Sequence, residues 1–116
     1  MKKVLLVLLF ALALPVRAEF MSAFEEIPLM DGMVEDEAMS FDTEDVRIVE
    51  QYVSSESVAR AEFVKFYKAT LASLGWVFAG EKGGVLSFKR EDEALSLTIE
   101  GESPLVVLFS LRPAGK

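Results

Sequence analysis

The sequence predicts an α+β fold, β-α-β-β-β in order, with one long helix packed on a single antiparallel sheet. Three observations carry this reading. Apolar residues between Val58 and Leu74 recur at helical spacing. Runs of β-branched and alternating residues flank that stretch on both sides. The connections between the later runs are short, polar and rich in turn formers. Elements segregated in this way suit one helical layer on one sheet.

The first residues, MKKVLLVLLFALALPVRA, have the three parts of an export leader. Lys2 and Lys3 supply a positive start. Val4 to Leu14 is an unbroken apolar run, shorter than the roughly 20 residues a membrane-spanning helix needs. Pro15 interrupts the run because it cannot donate within a helix. Val16 and Ala18 then place small side chains ahead of a cut after Ala18. The expected mature chain is periplasmic or secreted, with no stable membrane insertion once residues 1–18 are gone. The alternative is an uncleaved leader that tethers the domain to the inner membrane, its lysines held on the cytoplasmic side. Loss of the leader takes away Lys2, Lys3 and Arg17 but no acid, moving the formal charge from −7 to −10. The remaining 98 residues suffice for one domain with one modest core. Small exported domains often rely on disulfides; this chain has no cysteine, so apolar packing must hold it.

Residues 19–45 read as an acidic, Met-rich arm ahead of an α+β domain over residues 46–116. In the arm, Glu19, Glu25, Glu26, Asp31, Glu35, Asp36, Glu37, Asp42, Glu44 and Asp45 face no basic residue. Met21, Met30, Met33 and Met39 all lie there as well. Phe20, Phe24 and Ile27 at i, i+4 and i+7 predict a short helix ended by Pro28. From Leu29 to Asp45 the expectation is irregular chain, with a short extended piece around Ser40 to Asp42. Its apolar residues predict that the arm lies against the domain.

The regular part opens with VRIVEQYV, a β-branched and aromatic strand. SSES follows and offers Ser54, Ser55 or Ser57 as helix N-cap. Phe63, Val64, Phe66, Tyr67, Leu71 and Leu74 then form one broad apolar face. Gly75 predicts the left-handed stop of that helix, with Trp76 folding back over its last turn. WVFA, VLSFKR, LSLTIE and LVVLFSLR are the following strands, joined through GEKGG, EDEA and GESP. Leu95, Leu97 and Ile99 alternate with Ser96, Thr98 and Glu100, giving one buried and one wet face. LVVLFSLR differs, because Val106 and Leu108 load the face opposite Leu105, Val107, Phe109 and Leu111. This predicts a central strand whose second face is covered by the arm through Phe20, Phe24, Ile27 and Met30. The alternative is that the second face is a docking surface.

At SFDTEDVRIVEQYVS, FVKFYKATLASLGW and LSFKRE the chain resembles a group of small exported proteins of alphaproteobacterial type. That group shares FDT-x-x-x-RIVE, FY-x-x-TL-x-x-LGW and a short strand ending in a basic residue. The resemblance runs from about Ile27 to Leu111 and implies this fold and export. It implies no activity. The arm, MVEDEAMSFDTED, departs from the group's pattern by its acidity.

The chain contains no histidine and no cysteine, which removes imidazole-based triads, thiol redox chemistry and the usual zinc sites. GEKGG lies between strands rather than opening a helix and reads as a hairpin turn, not a phosphate loop. Paired carboxylates occur at Asp42/Asp45, Glu25/Glu26 and Glu91/Asp92/Glu93, yet acid-base work on a sugar needs a cleft that one sheet and one helix do not provide. MDGMVEDEAMSFDTED clusters oxygen ligands suited to calcium, at a spacing unlike the EF-hand loop. Met30 and Met33, with Met21 and Met39 nearby, could serve Cu(I), or simply fill a core. Trp76 and Tyr67 could stack on a sugar or peptide, or belong to the core. An acidic chain with scattered bases has no track for nucleic acid. The expectation is an exported, non-enzymatic module without a cofactor that binds a protein or peptide in the cell envelope. The alternative is metal (calcium or copper) or small-ligand binding by the arm. No catalytic, cofactor-binding or metal-ligating residue is assigned.

Overall fold

The computed structural model describes residues 19–42 and 47–114; the leader expected over residues 1–18 and the arm's Glu44 and Asp45 lie outside them. In chain order the elements are β1 (Glu19–Phe20), β2 (Pro28–Leu29), β3 (Val34–Asp42), β4 (Arg47–Ser55), α1 (Arg60–Ser73), β5 (Val77–Lys82), β6 (Val85–Arg90), β7 (Glu93–Glu102) and β8 (Leu105–Pro113). Six strands form one antiparallel sheet in the order β3-β4-β8-β7-β6-β5, and β1 with β2 makes a separate two-stranded ribbon. Among the described residues the architecture is mixed and mostly sheet, with one helix.

The path explains the order. β3 and β4 pair, α1 carries the chain across one face to the far edge, and the meander β5 to β8 returns until β8 pairs with β4. β8 therefore sits inside the sheet, with both of its edges paired, to β4 and to β7. Gly83 (φ +59°) and Gly84 (φ +81°) make the two-residue turn between β5 and β6, a backbone that glycine adopts without steric penalty. The strand expected as WVFA consequently extends through Lys82.

α1 ends as the sequence predicts. Gly75 takes φ +95°, its N–H bonds to the carbonyl of Ala72 at 3.1 Å, and the Trp76 N–H bonds to Leu71 at 2.9 Å. Its start is different. The N-cap position is Ala59, without a side-chain cap. Ser55 Oγ instead accepts from the N–H groups of Ser57 and Val58, both at 3.0 Å, and so shapes the strand-to-helix turn.

The arm corrects two expectations. Phe20 to Ile27 is not a helix: Ile27 N–H bonds to Phe24 at 2.9 Å and Met21 N–H to Ile27 at 3.0 Å, closing a tight turn between β1 and β2. Residues from Val34 to Asp42 are not irregular either, because β3 is a full edge strand paired with β4. Three consecutive acids conceal it from a hydrophobic pattern, and backbone pairing supplies what side chains do not.

Phe63, Tyr67 and Leu71 of α1 are fully buried against Leu86, Phe88, Leu95, Leu97, Val107 and Phe109 of the sheet. Met21, Phe24 and Ile27 join the same core, with the Phe24 ring 6.2 Å and the Tyr67 ring 5.1 Å from Phe109. The Tyr67 hydroxyl donates to Pro28 O at 2.7 Å and accepts from Met30 N–H at 2.9 Å, pinning β2 to the helix. Burial raises the Tyr67 pKa above its ordinary value of 10.0, opposed by the bond from Met30. Arg90 fastens the other end: it donates to Leu74 O at 3.1 Å, lies 4.4 Å over the Trp76 ring and pairs with Glu26. The arm ahead of β3 thus lies on the same face of the sheet as α1, while β3 itself belongs to the sheet.

Candidate docking face

That placement leaves the opposite face of the six-stranded sheet without a layer among the described residues. β4 alternates Val49, Gln51, Val53 and Ser55 toward the core with Ile48, Glu50, Tyr52 and Ser54 away from it. β8 does the same, with Val106 and Leu108 half-buried on the outer side. The expectation that Phe20, Phe24, Ile27 and Met30 cover Val106 and Leu108 is therefore overturned. Phe24 and Ile27 are buried beneath the helix-side layer, Met30 is half-buried there, and Phe20 is exposed. The helix alone is too narrow to cover six strands, so the arm is drawn to the face where apolar area is already concentrated.

Register assembles the outer face row by row. Tyr52, Leu108, Thr98 and Val85 stand side by side across β4, β8, β7 and β6. Met39, Glu50, Ser110, Ser96 and Ser87 form the adjacent row. Ser54 and Val106 continue the surface on the other side, opposite Val34 at the edge. Val34 and Met39 are each more than half exposed. The face is thus shallow: apolar near β3, β4 and β8, and small and polar toward β7 and β6.

A depression of about 320 Å³ opens on this face, lined by Glu37, Ala38, Met39, Glu50 and Tyr52. It exists because β3 bulges between Glu35 and Ala38. Gln51, buried on the inner side, holds the bulge by donating Nε2 to the carbonyls of Asp36 and Tyr52 at 3.3 Å and of Glu37 at 3.5 Å, while its Oε1 is left without a partner. Three strands supply negative charge around Tyr52: Glu37 from β3, Glu50 from β4 and Glu100 from β7. The Tyr52 hydroxyl is held above its ordinary range first by the Glu100 charge, then by burial and by Glu50 and Glu37. Glu50 is partly neutralised by Arg112 at 3.4 Å; Glu37 and Glu100 have no ion pair among the described residues. Nothing in the sequence pattern singles out Tyr52, Glu50 and Glu100, although the alternation in RIVEQYV does set Tyr52 and Glu50 apart from the core residues.

The residues that the sequence offered for chemistry are scattered. Trp76 and Tyr67 are buried in the core. Met21 and Met33 are buried, Met30 is half-buried against the core, and Met39 is exposed on the outer face, so the four methionines do not share one site. Among the described residues no three His, Cys, Asp or Glu side chains converge to hold a metal ion. Glu26 is tied to Arg90, Glu93 approaches Arg47 at 3.6 Å, and Glu91 with Asp92 makes the β6–β7 turn. The Asp42/Asp45 pair lies outside the described side chains. Two further depressions flank the helix C-terminus, of about 640 Å³ at Leu74, Gly75, Lys89 and Glu91 and about 400 Å³ at Phe24, Glu25, Arg47 and Leu111. Both are open; Arg90 lines the first and Glu26 with Trp76 the second, the residues that fasten the helix end to the arm.

No protein-family model, no curated protein and no solved structure matches the chain. Among the described residues no helix is long and apolar enough to cross a membrane.

Proposed function

We propose that the chain is an exported, non-enzymatic module that binds a protein or peptide in the cell envelope through the bare face of its sheet. The observation that carries this reading is the one-sided layering: α1 and the arm ahead of β3 both lie on one face, and Val106, Leu108 and Tyr52 lie on the other. A contiguous apolar surface at the centre of a sheet marks an interaction site more often than a solvent-facing wall. The leader-like start supports a place outside the cytoplasm, and the resemblance to small exported proteins agrees with it. The lack of His and Cys supports a non-enzyme.

Affinity capture from envelope extract tests the reading with the wild type, Leu108→Glu and Phe20→Ser. A partner held by the wild type and by Phe20→Ser but lost from Leu108→Glu is the expected result. Retention by Leu108→Glu would move the interface elsewhere. Export is checked by fractionation and intact mass, with a mature chain starting at Glu19 expected.

A further inference from the structure

Resting on the docking face just described, the nature of its occupant follows from charge and shape. Both free edges of the sheet are interrupted, β3 by its bulge between Glu35 and Ala38 and β5 by one between Phe78 and Gly80. Edge strands broken in this way resist the addition of a further strand along their length. The face itself remains. It offers an aromatic ring in a depression, carboxylates from three different strands around that ring, and an apolar row beside it. Of the outer-face cations, Arg112 on β8 is engaged with Glu50 at 3.4 Å, while Lys82 and Lys89 lie on β5 and β6, far from Tyr52 in the strand order. Glu37 and Glu100 are thus the carboxylates without an ion pair among the described residues. A phenol ring with nearby carboxylates suits an ammonium or guanidinium group, through the ring quadrupole and the flanking charges together. Val106 and Leu108 alongside suit the apolar side chains that alternate with such a cation in an extended segment.

We propose that this face receives a basic, extended segment of a partner protein, one Lys or Arg seated on Tyr52 among Glu37, Glu50 and Glu100, with apolar neighbours lying on Val106 and Leu108. The net negative charge of the chain steers such a segment inward and repels acidic polymers.

The test uses the full chain and three fluorescent ten-residue peptides in which Val alternates with Lys, with Ser or with Glu, read by anisotropy and by amide shifts in NMR. The Lys peptide is expected to bind best, to weaken as salt rises, and to shift amides of β3, β4 and β8. Tyr52→Ala should weaken it at least about tenfold and Glu37→Gln/Glu100→Gln about fivefold, whereas Tyr52→Phe should bind as the wild type does. Should Tyr52→Ala unfold, the Glu37→Gln/Glu100→Gln and Tyr52→Phe pair still decides. Equal binding of the Lys and Ser peptides, lost in Leu108→Glu, would overturn the basic occupant and leave the docking face standing. Binding of no peptide, or binding indifferent to Leu108→Glu, would sink both. A dimer by sedimentation that protects Tyr52 would assign the face to a second copy and overturn the proposal.

Discussion

The two faces of the sheet are built from the same strands, yet they obey different rules. The covered face carries Phe88, Leu95, Leu97, Val107 and Phe109, all buried beneath an aromatic helix. The bare face carries Tyr52, Leu108 and Ser96, half-buried only by their neighbours along the rows, and the small Ser110, which those neighbours bury. One face is selected for packing, where a missing methyl group leaves a void. The other is expected to tolerate substitution with little loss of stability. A sheet covered on one side can therefore be recognised by which side punishes mutation.

Substitutions should separate the faces most clearly where packing is densest. Phe63→Ala, which removes a fully buried ring between Tyr67 and Phe109, is expected to cost about 3–5 kcal/mol in chemical denaturation. A cost below about 1 kcal/mol would mean that the helix is not the true cover.

Tyr67→Phe keeps the ring and removes only the hydroxyl that joins Pro28 and Met30. It should cost about 1–3 kcal/mol and speed hydrogen exchange at Met30 and Met33 without touching β6 and β7. The same variant has a pH signature. The folded Tyr67 pKa lies above the unfolded value of 10.0, so above that pH the unfolded chain loses the proton that the native one keeps. Stability should accordingly be flat up to that point and fall as pH rises further, and Tyr67→Phe should remove this part of the alkaline loss. Identical alkaline slopes in the two proteins would refute the assignment.

Gly75→Ala places a Cβ at φ +95° in the helix stop. The expected loss is about 1–2 kcal/mol in thermal or denaturant melts, from backbone conformation alone, since only Arg90 Cδ at 3.5 Å meets the added atom.

The smallest effect should come from the bare face. Leu108→Ala is expected to change stability by about 1 kcal/mol or less. A loss as large as that of Phe63→Ala would show that a second layer covers Leu108 and would erase the contrast between the faces.

Much of the architecture was legible in local pattern. The span, apolar face and glycine stop of α1, and the runs that became β4, β6, β7 and β8, follow from periods of 3.6 and 2 and from turn chemistry. The arm was not. Phe20, Phe24 and Ile27 have helical spacing and still close a turn, because β1 and β2 can pair with each other and the apolar side chains reach the core from there. β3 was hidden by Glu35, Asp36 and Glu37, an edge strand being able to carry acids that no buried strand would accept. The candidate site was half legible: Val106 and Leu108 announced a second apolar face, but Tyr52, Glu37, Glu50 and Glu100 come together only across strands.

By itself the sequence determined the elements that depend on neighbours a few residues apart: where the helix runs and stops, which strands alternate, and that neither imidazole nor thiol chemistry is present. The tertiary structure alone decided on which side of the sheet the arm lies, and hence which apolar residues are core and which are surface. The reason is that a strand's two faces are equivalent to its own backbone. Only the competition of helix, arm and solvent for the whole sheet makes one of them the inside.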